Sequence, residues 1–165
     1  MTMASVEIRS AEARDASLIL ELIHGLAEYE RLADAVVATE ASVRESLFGS
    51  RPAAEVLLAE VDGTPAGFAL YFHNYSTFLA QHGLYLEDLF VRPEFRGHGI
   101  GTRLLARLAA IAVERRCGRF EWAVLDWNSD AIRFYQSLGA EPMSEWTTFR
   151  VTGEALTALA RRSPG

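Results

Sequence analysis

Residues 84–91 are apolar and of strand type, and Pro93, which cannot donate to a ladder, stops them. Beyond the stop, Leu104, Leu105, Leu108, Ile111 and Ala112 recur at three- and four-residue spacing. That spacing predicts a helix over residues 102–116, with Gly118 as its terminator. Residues 120–125 resume as an apolar strand, and strand, helix, strand implies a right-handed crossover with the two strands parallel. Upstream, residues 55–61 and 66–75 are rich in strand formers and joined by Asp62-Gly63, a two-residue hairpin signal. Residues 6–9 read as a first strand. Asp15 sits where a helix N-terminus favours a carboxylate, and Leu18, Ile19, Leu22, Ile23 and Leu26 form the stripe of a helix over about 13–29. Thr39 is placed to cap a second helix over about 40–47. Downstream, residues 129–138 predict a short helix stopped by Gly139 and residues 146–151 a last strand. Thr152 then precedes a terminal helix containing Leu156 and Leu159. The sum is an α/β chain with a central mixed sheet flanked by helices, expected to form a single domain over residues 1–165.

Composition narrows the chemistry. A single cysteine, Cys117, rules out an internal disulfide and a cysteine zinc cluster, and it makes the cytoplasm the expected compartment. Its place after a long helix suits a packed helix end better than a nucleophile. The histidines, His24, His73, His82 and His98, show no H-E-x-x-H spacing, so no metal is expected. No apolar run reaches the length of a membrane span and the first residues lack the regions of a secretion signal, so no membrane partner is expected. A formal net charge of −6 opposes non-specific nucleic-acid binding and favours a cationic substrate.

Arg96-Gly97-His98-Gly99-Ile100-Gly101 joins the central strand to its helix. Glycines at a helix start leave amides and the positive end of the dipole facing an anion. No Lys-Ser/Thr pair follows, so the Walker pattern fails, and the first glycine comes too late for the dinucleotide pattern. Taken alone, the stretch could also be a plain glycine-rich connection. Arg96-x-x-Gly99-x-Gly101 resembles the pyrophosphate-binding loop of the GNAT family of N-acetyltransferases, which hold acetyl-CoA. Asn128-x-x-Ala131-x-x-Phe134-Tyr135-x-x-x-Gly139 resembles the family's second motif, which flanks the pantetheine arm and the thioester. The resemblance implies the acyl-CoA N-acyltransferase fold. It also implies cofactor contacts from Leu89, Phe90, Val91, Arg96, Gly97, His98, Gly99, Ile100, Gly101, Thr102, Asn128, Ala131 and Tyr135.

A closer likeness covers nearly the whole chain. Leu26-Ala27-Glu28-Tyr29-Glu30, residues 85–91 and Trp127-Asn128 resemble the diamine (spermidine/spermine) N1-acetyltransferase group and its thialysine-acetylating relatives, a dimeric group. This implies a homodimer that acetylates a small cationic amine, with Tyr29, Glu30, Glu87 and Asp88 facing the substrate. Residues 141–146 are shorter than the group's acidic loop, and Glu145 is the candidate for its carboxylate. Without the resemblance, residues 28–31 read as a solvated helix end, Asn128 as a helix cap and Tyr135 as a core aromatic.

An ammonium must lose a proton before it attacks a thioester. Glu87 is the candidate base, since a carboxylate in a partly dry cleft holds a proton more tightly, and strand alternation would send Glu87 and Asp88 to opposite faces. A backbone N–H near Phe90 or Val91 would meet the oxyanion, and Tyr135 would protonate the leaving thiolate. Acetylation of a protein N-terminus or lysine, and a non-catalytic acyl-CoA-binding module, are the alternatives.

Overall fold

The computed structural model describes residues 3–165, and the chain divides into two compact units, Met1–Leu125 and Asp126–Gly165. The first holds a five-stranded sheet in the order β1 (Val6–Ser10), β2 (Glu55–Val61), β3 (Thr64–Ser76), β4 (Gln81–Val91), β5 (Phe120–Trp122). The first three pairs are antiparallel and β4–β5 is parallel, so the sheet is mixed as expected. At the β2–β3 turn both Asp62 (φ 49°) and Gly63 (φ 79°) take positive φ, the twist that a two-residue hairpin needs.

Helices α1 (Ala16–Tyr29) and α2 (Glu40–Phe48) cover one face of the sheet, where Ile19, Leu22, Leu26, Val43 and Leu47 bury against Phe68 and Phe90. Alternation along the strands turns Leu57, Ala59 and Tyr71 to the other face. There α3 (Ile100–Glu114) brings in Leu104, Leu105, Leu108 and Ile111. Thr39 caps α2 as predicted, accepting from the Ser42 N–H at 3.1 Å. Asp15 does more than favour the dipole. It is buried, accepts the Glu12 N–H at 2.8 Å and takes both arms of the Arg9 guanidinium at 2.9 Å. Those hydrogen bonds from Arg9 hold its carboxyl below the ordinary range and pin the start of α1 to β1.

Three expectations are corrected. Helix α3 begins at Ile100 rather than Thr102, and it ends through Arg116 in the left-handed region (φ 58°) instead of at Gly118. The Cys117 N–H then returns to the Ala112 carbonyl at 2.8 Å, which satisfies the helix end without a glycine. Strand β5 stops at Trp122, three residues short of the apolar run. Residues 146–151 form no strand. Trp146 and Phe149 are exposed there, and strand propensity makes no ladder without a partner edge. The second unit contains α4 (Ser129–Ser137) and α5 (Gly153–Ala160). Among the described residues, no helix is long and apolar enough to cross a membrane.

Candidate active site

The glycine loop leaves β4 through a single 3-10 turn, Pro93–Phe95, and enters α3 with Gly99 as N-cap. Gly97 (φ 81°) and Gly99 (φ 77°) both lie in the left-handed region, which is why side-chain-bearing residues would strain here. No side chain caps α3, and its first turn closes with the Arg103 N–H on the Gly99 carbonyl at 3.0 Å. The amides of Ile100, Gly101 and Thr102 therefore have no partner within the helix. A Cβ built at Gly97, Gly99 or Gly101 would meet nothing within 4 Å, so the approach to these amides is open. Such a donor set fits a pyrophosphate. Replacing Gly99 with valine should raise the dissociation constant for coenzyme A at least tenfold, because both the φ and the open approach are lost. Titration calorimetry measures it, and unchanged affinity would remove the loop from cofactor binding.

Beside the loop, β4 has lost its neighbour. Its parallel pairing with β5 covers only Leu84, Leu86 and the residue between them, so the β5-side edge from Glu87 to Val91 is bare of sheet partners. The Arg92 N–H bonds the Ala66 carbonyl at 2.8 Å. Alternation of the ladder then turns the amides of Leu89 and Val91 to the bare edge and that of Phe90 toward β3. The approach of β3 to β4 at this point depends on Gly67, which sequence reasoning missed. A Cβ there would sit 2.4 Å from the Phe90 carbonyl oxygen.

A β-bulge decides the placement of the acids. Leu70 faces Asp88 and Tyr71 faces Leu86, which leaves Glu87 without an opposite residue. Glu87 is exposed and Asp88 half-buried. The expectation of partly dry surroundings for Glu87 is corrected: the bulge leaves it exposed and without a cross-strand neighbour, and Asp88 is the shielded one of the two. Burial, reinforced by Glu87 and Glu30, pushes the Asp88 carboxyl up to about 6. Burial and the charge of Glu87 also raise Glu30, which follows the end of α1. Glu30, Glu87 and Asp88 thus lie within electrostatic reach of one another. Tyr29 lies beneath Arg96, whose Cζ is 4.8 Å from the ring centroid. His98 Nδ1 lies 2.9 Å from the Arg96 carbonyl.

In the second unit, Asn128 caps α4, its Oδ1 accepting the Ala131 N–H at 3.3 Å, so both motif residues serve the helix start. Tyr135 is half-buried with its ring 5.6 Å from that of Phe134. Glu145 is exposed.

A mixed sheet whose fourth strand parts from its parallel neighbour and runs into open amides at a helix N-terminus suits an acyltransferase working with a phosphate-bearing carrier. The chain matches the model of the acetyltransferase (GNAT) family over residues 21–140 and belongs to that family. It is 41% identical over 169 residues to a thialysine N-epsilon-acetyltransferase of Sus scrofa, covering 96% of this chain and 99% of that one. It is 36% identical to an L-ornithine N5-acetyltransferase of Arabidopsis thaliana, covering 92% of this chain and 86% of that protein. Among solved structures, an integron cassette protein from V. cholerae superposes with a TM-score of 0.81 at 30% identity, covering 97% and 99% of the two chains. The protein is an acetyl-CoA-dependent N-acetyltransferase.

Proposed function

We propose that the protein acetylates the primary amine of a small cationic substrate of the thialysine, ornithine or polyamine kind, by direct attack on the thioester. The observation that carries this reading is the grouping of Glu30, Glu87 and Asp88 beside the bare edge of β4, since three carboxylates favour an ammonium. The names of the relatives support the same substrate class. In this reading the amides of residues 97–102 seat the pyrophosphate, and the bare backbone of Leu89 and Val91 meets the carrier arm. Glu87, exposed in the bulge, holds the incoming ammonium, and Asp88, its carboxyl raised by burial, takes the proton. The neutral amine attacks the carbonyl carbon, and the charge that develops on its oxygen falls to an outward N–H such as that of Val91. The nitrogen then gives up its extra proton to solvent as the carbon–sulfur bond breaks, and Tyr135 passes its hydroxyl proton to sulfur and is reprotonated from solvent. The full chain acts as a single acetyltransferase domain, works in the cytoplasm as a homodimer and engages neither nucleic acid nor membrane. The net charge of −6 speaks against nucleic acid, and the exposed Trp146 and Phe149 suit contact with a second protomer.

A thiol-release assay across thialysine, lysine, ornithine, spermidine, an aminoglycoside and a short peptide tests the substrate class. The small cationic amines should give the highest kcat/KM, and raising salt from 50 mM to 500 mM should raise their KM about three- to tenfold. A neutral best substrate, or an amine KM indifferent to salt, overturns the assignment.

A further inference from the structure

We infer that Tyr29 is a positioning residue for coenzyme A, acting through Arg96 to brace the glycine loop. This rests on the loop over residues 96–102 being the pyrophosphate seat. The side chain of Arg96 does not extend along the loop amides. Its Nε–H donates to the Val91 carbonyl at 2.9 Å, and its Cζ lies 4.8 Å from the Tyr29 ring centroid and 5.7 Å from that of Phe90. The guanidinium is folded back between the end of β4 and the end of α1. A planar cation over an aromatic face is held by the ring quadrupole as well as by contact. The backbone of Arg96 is engaged too, its N–H on the Pro93 carbonyl at 3.2 Å and its carbonyl 2.9 Å from His98 Nδ1.

The loop has few other anchors. Gly97 and Gly99 contribute no side chain, and residues 96–99 are exposed. Ile100 is the first buried residue after the turn. Arg92 ties the end of β4 to α1 through Glu21 at 2.7 Å, and within residues 96–99 the bridge from Arg96 to Val91, Tyr29 and Phe90 is, among the described residues, a side-chain link from the loop itself to the body of the unit. The aromatic floor is fixed from below, because Gly25 on α1 lies so close to Phe90 that a Cβ there would come within 2.8 Å of the ring. A seat ordered before its ligand arrives loses less conformational freedom on binding. Without the Tyr29 face, Arg96 gains freedom and the phosphate must order the loop itself. Tyr29 thus acts on the cofactor although it precedes Glu30, a residue placed on the amine side.

The test measures coenzyme A affinity by titration calorimetry, together with the amine KM at saturating acetyl-CoA. The proteins are wild type, Tyr29→Phe, Tyr29→Leu, Arg96→Ala and the Tyr29→Leu/Arg96→Ala double variant. Tyr29→Phe keeps the ring face and should bind coenzyme A more tightly than Tyr29→Leu does. Tyr29→Leu keeps apolar bulk without the π face and should weaken coenzyme A about two- to fivefold, the range expected of a partly exposed cation–π contact. Any rise in its amine KM should be smaller than the loss of coenzyme A affinity. Arg96→Ala should weaken coenzyme A at least as much, and the double variant no further, since Tyr29 acts through Arg96. Wild-type affinity in Tyr29→Leu alongside weak binding in Arg96→Ala overturns the inference and leaves the loop reading intact. So does a double variant that adds the two losses, or a rise in amine KM alone. Should Arg96→Ala and Gly99→Val both bind coenzyme A as wild type does, the loop reading itself falls and the inference with it. Tyr29 is 43% exposed, so its replacement leaves the buried core in place.

Discussion

Replacing Tyr135 with phenylalanine should lower turnover by roughly 10²–10⁴-fold, the cost of losing a general acid, while coenzyme A affinity and the melting temperature stay close to wild type. The substitution is nearly isosteric. The ring sits half-buried on α4 against Phe134, with centroids 5.6 Å apart, and phenylalanine preserves that contact. Only the hydroxyl is lost. The phenol O–H is the group on this ring that can supply a proton to a departing thiolate. The comparison belongs in single-turnover kinetics, because slow product release would otherwise hide a slower chemical step. Wild-type turnover in a folded Phe variant would reduce Tyr135 to a packing residue and leave the thiolate to take its proton from water.

Asp88→Asn should show the opposite signs for activity and stability. With Asp88 as base, its carboxyl must be ionised, so wild-type kcat/KM should rise with pH through about 6, the value to which burial and the nearby acids push it. The Asn variant should lose that limb and fall by roughly 10²–10⁴-fold at pH 8. Glu87→Gln should weaken the amine and keep the limb, moved to lower pH because one of the charges that raises Asp88 is gone. For stability, a carboxyl whose folded value is raised is protonated in both states below about 4 and ionised in both above about 6. The folded state therefore carries the full penalty above the folded value and none below the unfolded one. Asp88→Asn removes that penalty, so the variant should melt higher than wild type at pH 7.5 and at the same temperature near pH 4. A pH–rate profile that keeps its limb in Asp88→Asn, or one that loses it in Glu87→Gln, would move the base to Glu87.

Much of this site was legible in local pattern. The Asp62-Gly63 turn, the Thr39 cap, the apolar stripes of α1 and α3 and the glycines at the start of α3 each depend on a few adjacent residues, whose backbone preferences act within one turn of chain. Asp15 was legible as a helix-start carboxylate, but its pairing with Arg9 from β1 was not. The strand pattern at residues 146–151 misled because a strand is completed by another edge, and the sequence carries no record of whether one is supplied. The glycine motif marked the start of α3, yet only the folded chain shows the Arg96 guanidinium turned back onto Tyr29, a residue distant in sequence.

The two adjacent acids mark the boundary most sharply. Sequence by itself determined that Glu87 and Asp88 lie on the central strand just before the glycine loop, because the apolar run and Pro93 bound that strand from within. Tertiary structure alone decided which of them is shielded. A bulge arises from the register between β4 and β3, and the bare edge arises where β5 ends, so neither is a property of β4's own residues. The proton affinity of Asp88 follows from that placement, since desolvation and like charges act through space and reach it from α1 as well as from its own strand.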